Sequence, residues 1–163
     1  MADALIPLYS STLASAVSSV TISGLPQGYR DLRLIVNASV TPTEGNIFIQ
    51  VNGDAGSNYT QVNVRGFSTS STGSSTATGT NISSNYSTGL QTTSRAINIY
   101  DFLDYSQTDK HKAILIRANH SDEIDALAGR WASTSAITSI FISANGTTTF
   151  AVGSSFTLYA VQG

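Results

Sequence analysis

The sequence predicts an all-β protein, a jelly-roll-like antiparallel β-sandwich of about eight to nine strands. Three observations carry the prediction. Apolar side chains recur at every second residue in segment after segment. Those segments are rich in Ile, Val, Thr, Phe and Tyr, and Gly, Asn and Pro turn signals stand between them. Period two is the mark of a strand, because successive side chains point to opposite faces, whereas a helix repeats its apolar positions every three or four residues.

Ala4 to Tyr9 opens the chain as either a first strand or an arm reaching a docking partner. Val20 to Ser23 is a short strand, stopped by Gly24-Leu25-Pro26-Gln27-Gly28. From Asp31 to Val40, residues Leu32, Leu34, Val36, Ala38 and Val40 share one face. Asp31, Arg33, Asn37 and Ser39 take the other, with Ile35 the exception. Ile47, Ile49 and Val51 form the next strand, closed by Asn52-Gly53-Asp54, and Val62 and Val64 alternate with Gln61, Asn63 and Arg65. Ile97 and Ile99 follow, then Ile114, Ile116 and Ala118, then Asp125 to Ala132 around Trp131. Ile140 and Ile142 lead to Asn145-Gly146, the best hairpin turn in the chain, and after Gly153 the residues Phe156, Leu158 and Ala160 close the pattern. Val62, Val64, Ile97 and Ile99 are expected to face the core like the rest. Asp101 to Ser106 is the one stretch that could hold a helical turn, and its apolar spacing is too brief for more. Two sheets that each bury one apolar face pack about 10 Å apart.

With 163 residues the chain is read as a single β-sandwich domain over 1–163. A mean hydropathy of +0.03 with net charge −2 excludes global disorder. Eight Lys plus Arg against ten Asp plus Glu leave no basic field for phosphates, so nucleic acid is not an expected partner. Without cysteine, disulfides, zinc fingers and thiol nucleophiles are excluded. Ala14-Ser15-Ala16 has the form of a signal-peptidase site, but no Lys or Arg precedes it, and no apolar run approaches the roughly 18 residues of a membrane span. Neither a signal peptide nor a membrane partner is expected.

From Ser68 to Ser94, 22 of 27 residues are Ser, Thr, Gly or Asn. So little apolar area cannot offset the entropy of ordering the segment on its own, which reads it as a mobile loop insertion at about 68–94, or as one that orders against a neighbouring subunit. Ser and Thr favour extended chain over helix here.

Catalytic chemistry finds no constellation. The histidines are His111 and His120, at the margins of the Ile114 to Ala118 strand, and no Gly-x-Ser-x-Gly elbow or P-loop occurs. His120, Asp122, Glu123 and Asp125 are close in sequence but match no EF-hand spacing, and Asn52, Asp54 and Asn58 make a second oxygen-rich loop. Both are read as polar turns, so the expectation is no enzyme and no catalytic, cofactor or metal residue. The six sequons, at Asn37, Asn58, Asn81, Asn85, Asn119 and Asn145, follow from ten asparagines in a chain with 45 Ser plus Thr. The basic cluster Lys110, His111, Lys112 and Arg117 reads as solvated surface. Tyr29, Tyr59, Tyr86, Tyr100, Tyr105 and Tyr159 are numerous for so polar a chain, and tyrosine is enriched where proteins meet partners. An interaction or assembly protein is the expected class, with a carbohydrate-active enzyme or lectin as a third possibility.

Ser18-Ser19-Val20-Thr21-Ile22 leads through Leu25-Pro26 to Tyr29-Arg30-Asp31-Leu32-Arg33-Leu34. Val51-Asn52-Gly53-Asp54, Asn58-Tyr59, Gly129-Arg130-Trp131 and Ala136-Ile137-Thr138-Ser139-Ile140 follow, and the chain ends in Gly153-Ser154-Ser155-Phe156-Thr157-Leu158-Tyr159-Ala160-Val161. Read in order, this resembles a group of small β-sandwich proteins of tailed-bacteriophage virions, in which a Gly-Ser, then apolar-Thr-Leu-Tyr-Gly-apolar ending is frequent. Ala160 stands where that ending more often has Gly. The resemblance covers most of the chain except Ser68 to Ser94. It implies a bacteriophage virion structural protein: a capsid decoration (cement) protein on the capsid surface, homotrimeric, with the major capsid protein as partner. The alternative it implies is a tail-fibre or tail-tip host-recognition protein.

Overall fold

The computed structural model describes residues 5–67, 70–84, 89–119 and 123–162. Their regular structure is entirely β, in fourteen strands: β1 Leu5–Thr12, β2 Ser19–Ser23, β3 Asp31–Ala38, β4 Val40–Thr41, β5 Ile47–Val51, β6 Tyr59–Phe67, β7 Ser70–Gly79, β8 Ile82–Ser84, β9 Ala96–Leu103, β10 Lys112–Asn119, β11 Glu123–Trp131, β12 Ser139–Ala144, β13 Thr149–Phe150 and β14 Ser155–Val161. They form an eight-stranded sheet in the order β1-β14-β3-β9-β10-β11-β6-β7, a four-stranded sheet β2-β12-β5-β8, and the pair β13-β4. Neighbouring strands run antiparallel, as in the central β3–β9, β9–β10 and β10–β11 pairs. The inner faces of the two larger sheets share one apolar core, with Leu32, Leu34, Val36, Phe156 and Leu158 from the large sheet and Ile47, Ile49, Ile140 and Ile142 from the small one fully buried. An all-β antiparallel sandwich is the fold.

Every segment read as a strand from its alternation is one. Five more strands exist among the described residues. Leu5–Thr12 is the first strand rather than a free arm, pairing with β14 from Leu5↔Val161 to Thr12↔Ser155. The strand expected to run through Val40 breaks at Ser39, and its last residues pair separately as β4 with β13. Asp101 to Ser106 holds no helical turn: β9 runs to Leu103 and a tight turn follows, with Asp104 at φ 47°.

The Ser/Thr tract departs most from expectation. Where a loop insertion at 68–94 was expected, Ser70–Gly79 form a strand laid along β6 from Tyr59↔Gly79 to Phe67↔Ser70, and Ile82–Ser84 pair with β5. The ladder to β6 supplies backbone partners that a loop would draw from water, and threonine fits extended chain. Two aliphatic residues of the tract, Ile82 and Leu90, are fully buried and pin it to the sandwich. Ile82 lies over Gly129, where a Cβ would sit 2.6 Å from Ile82 Cδ1.

A second difference concerns facing. Val62, Val64 and Ile97, expected inside, are about half exposed, while Tyr59, Gln61, Asn63, Asn98, Tyr100 and Phe102 point into the core. The parity of a strand is all or nothing. On β9 the choice lies between Ile97 with Ile99 and Tyr100 with Phe102, and the two rings bury more area. On β6 Tyr59 decides, carrying Gln61 inward with it. The Gln61 amide is satisfied by the backbone of Ser83, accepting from its N at 2.8 Å and donating to its O at 3.2 Å.

Candidate functional site

Because the inner parity of β6, β9 and β11 takes the large aromatics and that of β10 takes Ile114 and Ile116, the outer face of the eight-stranded sheet receives the aliphatic remainder. Register places these side chains in rows. Ile35 lies opposite Ile99, Ile99 opposite Arg117, Arg117 opposite Ala126, and Ala126 opposite Val64. One row away, Arg33, Asp101, Leu115, Ala128 and Val62 stand in line, and on the other side Asn119 is opposite Ile124. Of the seven large apolar residues with substantial exposure among the described residues, Val62, Val64, Ile97, Leu115 and Ile124 belong to this face, with Ile124 the most open of them at 66%. Ile97, Ile99, Arg117, Asn119, Ile124 and Ala126 border a shallow groove of about 440 Å³.

Charge on the face is concentrated at one point. Arg33 Nε donates to Asp101 Oδ1 at 2.6 Å and Arg117 Nη2 donates to Asp101 Oδ2 at 2.8 Å, so one carboxylate serves two guanidiniums. The bond to Asp101 holds Arg33 protonated even beyond the usual arginine range. Arg130 adds a further exposed cation on β11. In the sequence Val62, Val64, Ile97 and Ile99 read as core and Arg117 as part of a solvated basic cluster, so the face as such went unread, yet a signal was there. Ala113-Ile114-Leu115-Ile116 is apolar at both parities, the pattern of a strand covered on both sides.

The polar turns serve the fold. Asp54 Oδ2 accepts from Trp131 Nε1 at 2.7 Å and from Asn58 Nδ2 at 2.9 Å, and its Oδ1 accepts from Gly56 N at 2.8 Å. These donors, Trp131 first, hold its carboxyl below the ordinary aspartate value. Asn52, at φ 54°, accepts from Thr138 N at 2.8 Å and donates to Ala136 O at 2.7 Å, tying the β5–β6 turn to the approach of β12. Tyr59 OH accepts from Val51 N at 3.0 Å and donates to Asp54 O at 2.9 Å, and burial pushes its pKa up to about 12. Asp54 and Asn58 thus come together, while Asn52 in the same loop binds the segment before β12 instead.

A depressed aspartate contributes stability that is present above its unfolded pKa and lost as pH falls through its folded one. The urea midpoint is therefore expected to drop on acidification below about pH 4, and Asp54→Asn to make that drop shallower. Equal acid slopes in the two proteins would remove Asp54 from the account.

The acidic run near β11 is not brought together among the described residues. His120 and Asp122 lie outside them, nothing is described of the Glu123 side chain, and Asp125 is buried on the inner face. No group of three or more His, Cys, Asp or Glu side chains is gathered among the described residues. His111 is an exposed residue before β10. The basic cluster read as solvated surface is dispersed: Lys110 pairs with Asp104 at 3.1 Å, Arg117 lies on the outer face, and Lys112 is buried, its Nζ donating to Lys110 O at 3.0 Å and Thr134 O at 3.2 Å. Tyr59, Tyr100 and Tyr105 are core residues, and Tyr86 lies outside the described residues.

No protein-family model matches the chain, and no curated protein matches it. Among solved structures, a protein of unknown function from Shewanella oneidensis MR-1 is similar at 11% identity with a TM-score of 0.27, the match covering 96% of this chain and 78% of that one.

Proposed function

We propose that this chain is an assembly protein of a tailed-bacteriophage virion, a decoration (cement) subunit that associates with copies of itself and caps the major capsid lattice. The observation that carries the reading is the outer face of the large sheet, where Val62, Val64, Ile97, Leu115 and Ile124 stand open on a rigid, hydrogen-bonded surface. Contiguous exposed apolar patches on a folded protein mark the places where it meets another surface. A broad sheet face with a shallow groove suits a protein partner better than a small molecule, which is bound in a deep concave site. The scaffold motifs from Ser18 to Leu34 and from Gly153 to Val161 support the virion setting. On this reading the chain has no catalytic role, works without a cofactor, and resides on the capsid exterior.

Quantitative mass spectrometry of purified particles tests it. The chain is expected in a fixed stoichiometric ratio to the major capsid protein. A handful of copies per particle would move it to the tail and overturn the decoration reading, and its absence from particles would overturn the virion reading altogether.

A further inference from the structure

We infer that Asn145 is a site of spontaneous self-modification: the backbone nitrogen of Gly146 displaces the Asn145 side-chain amide, while the chain's other Asn-Gly pair, Asn52-Gly53, is held inert by the fold. Of the ten asparagines these two are followed by glycine, and the others by larger residues. Glycine matters because it places no Cβ beside the attacking nitrogen.

The step balances without an oxidant or a cofactor. Hydroxide takes the Gly146 N–H proton, the nitrogen bonds to Asn145 Cγ, and the Cγ–Nδ2 bond breaks with Nδ2 leaving as ammonia. Water then opens the cyclic imide, at Cγ to give aspartate or at the main-chain carbonyl to give isoaspartate, so water is consumed and ammonia released. At Asn145 the parts are in place. Gly146 is exposed in the turn after β12, with φ +61° and nothing within 4 Å of a Cβ. Among the described residues its N–H donates to no acceptor and Asn145 Nδ2 has no partner, which leaves nucleophile and leaving group free. Asn46 N donates to Asn145 Oδ1 at 2.9 Å, the oxygen on which negative charge gathers as the nitrogen adds.

Asn52 differs at its leaving group. Its Nδ2 donates to Ala136 O at 2.7 Å, while its Oδ1 accepts from Thr138 N at 2.8 Å and from Ser139 N and Thr138 Oγ1 at 3.2 Å each. Its Cγ cannot turn onto Gly53 N without breaking this set. Conversion at Asn145 reaches the packing, because Asn145 Oδ1 lies against Gly45, whose backbone pairs with Leu90, and Asn145 N donates to Asn46 O at 3.1 Å. Isoaspartate adds a methylene to the main chain between β12 and β13 and shortens the side chain, which withdraws the acceptor from Asn46 N.

Incubation of the purified full chain at mildly alkaline pH, followed by peptide mapping with electron-transfer fragmentation, tests the site. Asn145 is expected to gain the mass of –NH2 replaced by –OH, with isoaspartate among the products, at a rate that rises in proportion to hydroxide. It is expected to convert at least about tenfold faster than Asn52, since even one hydrogen bond of the clamp approaches that factor in a rate. In concentrated guanidinium chloride the clamp is gone, and the two sites are expected to convert alike. Gly146→Ala, whose methyl meets nothing in the fold, is expected to stay folded and to slow conversion at Asn145. The isoaspartate form, separated by ion exchange, is expected to show a lower urea midpoint than the parent. Asn52 converting as fast as Asn145 in the folded chain, Asn145 staying intact there while it converts in denaturant, or Gly146→Ala converting at the parent rate would overturn the proposal. An isoaspartate form as stable as the parent would overturn its consequence for the packing at Gly45.

Discussion

Trp131→Ala is expected to cost about 3–5 kcal/mol of folding stability, one of the largest losses available to a single substitution in this chain. Trp131 is 3% exposed and sits at the end of β11, opposite Lys112 of β10 and Tyr59 of β6. Removing the indole opens a cavity at the corner where three strands end. It also takes from Asp54 the donor at 2.7 Å that ties the β5–β6 loop to the sheet. Trp131→Phe separates the two effects: it keeps most of the apolar area and loses the bond to an ionised acceptor, a loss of about 1.5–3 kcal/mol. Urea titrations followed by far-UV circular dichroism measure both, since the chain's one tryptophan, and with it the natural fluorescence probe, is gone. A loss below about 1 kcal/mol for the alanine variant would mean that the corner closes over the cavity and that the indole is not its keystone.

Gly89→Ala is the second large effect, and it acts through the backbone. Gly89 has φ +70°, and a Cβ there would lie 2.8 Å from Gly45 N and 3.2 Å from Gly45 C and O. These are main-chain atoms, held by the reciprocal bonds of Gly45 N to Leu90 O at 3.2 Å and Leu90 N to Gly45 O at 2.6 Å. They cannot yield as a side-chain tip can. Left-handed strain of about 1–2 kcal/mol adds to the cost of parting that bridge, so a total of about 2–4 kcal/mol is expected. Gly146→Ala is the matched control. Its φ is +61°, but nothing lies within 4 Å of a Cβ there, so only the strain remains. Equal urea midpoints for the two variants would show that the close approach contributes nothing.

Much of the fold is legible without coordinates because burial on one face of a strand is written with period two. Leu32, Leu34, Val36 and Ala38 lie inside as read, as do Ile140 with Ile142 and Phe156 with Leu158, because in each case one parity is wholly apolar and the other mostly polar, with Ile35 and Phe141 the apolar exceptions on β3 and β12. The reading fails where both parities have a claim. On β9, Ile97 and Ile99 compete with Tyr100 and Phe102. On β6, Val62 and Val64 compete with Tyr59, which takes two polar residues inward. Local alternation cannot rank these options, because the ranking is set by what the opposite sheet offers the buried side chains. The Ser/Thr tract fails differently: its composition carries too little apolar signal to be read as strands, yet β6 and β5 each present a strand for it to pair with.

The candidate surface was less legible than the fold. Its members are scattered from Arg33 to Arg130, and no spacing unites them. Only the cross-strand register brings Ile99, Arg117, Ala126 and Val64 into one row and sets two arginines on Asp101.

By itself the sequence determined that this chain is an all-β sandwich, since side-chain alternation, turn residues and the lack of helical periodicity are local properties that each segment carries alone. The tertiary structure alone decided which face of each contested strand is hidden and how the polar tract is held. It also decided where the leftover aliphatic and cationic side chains collect. Those outcomes depend on area buried between partners far apart in the chain, and on hydrogen-bonding edges that exist only once the neighbouring strand is in place.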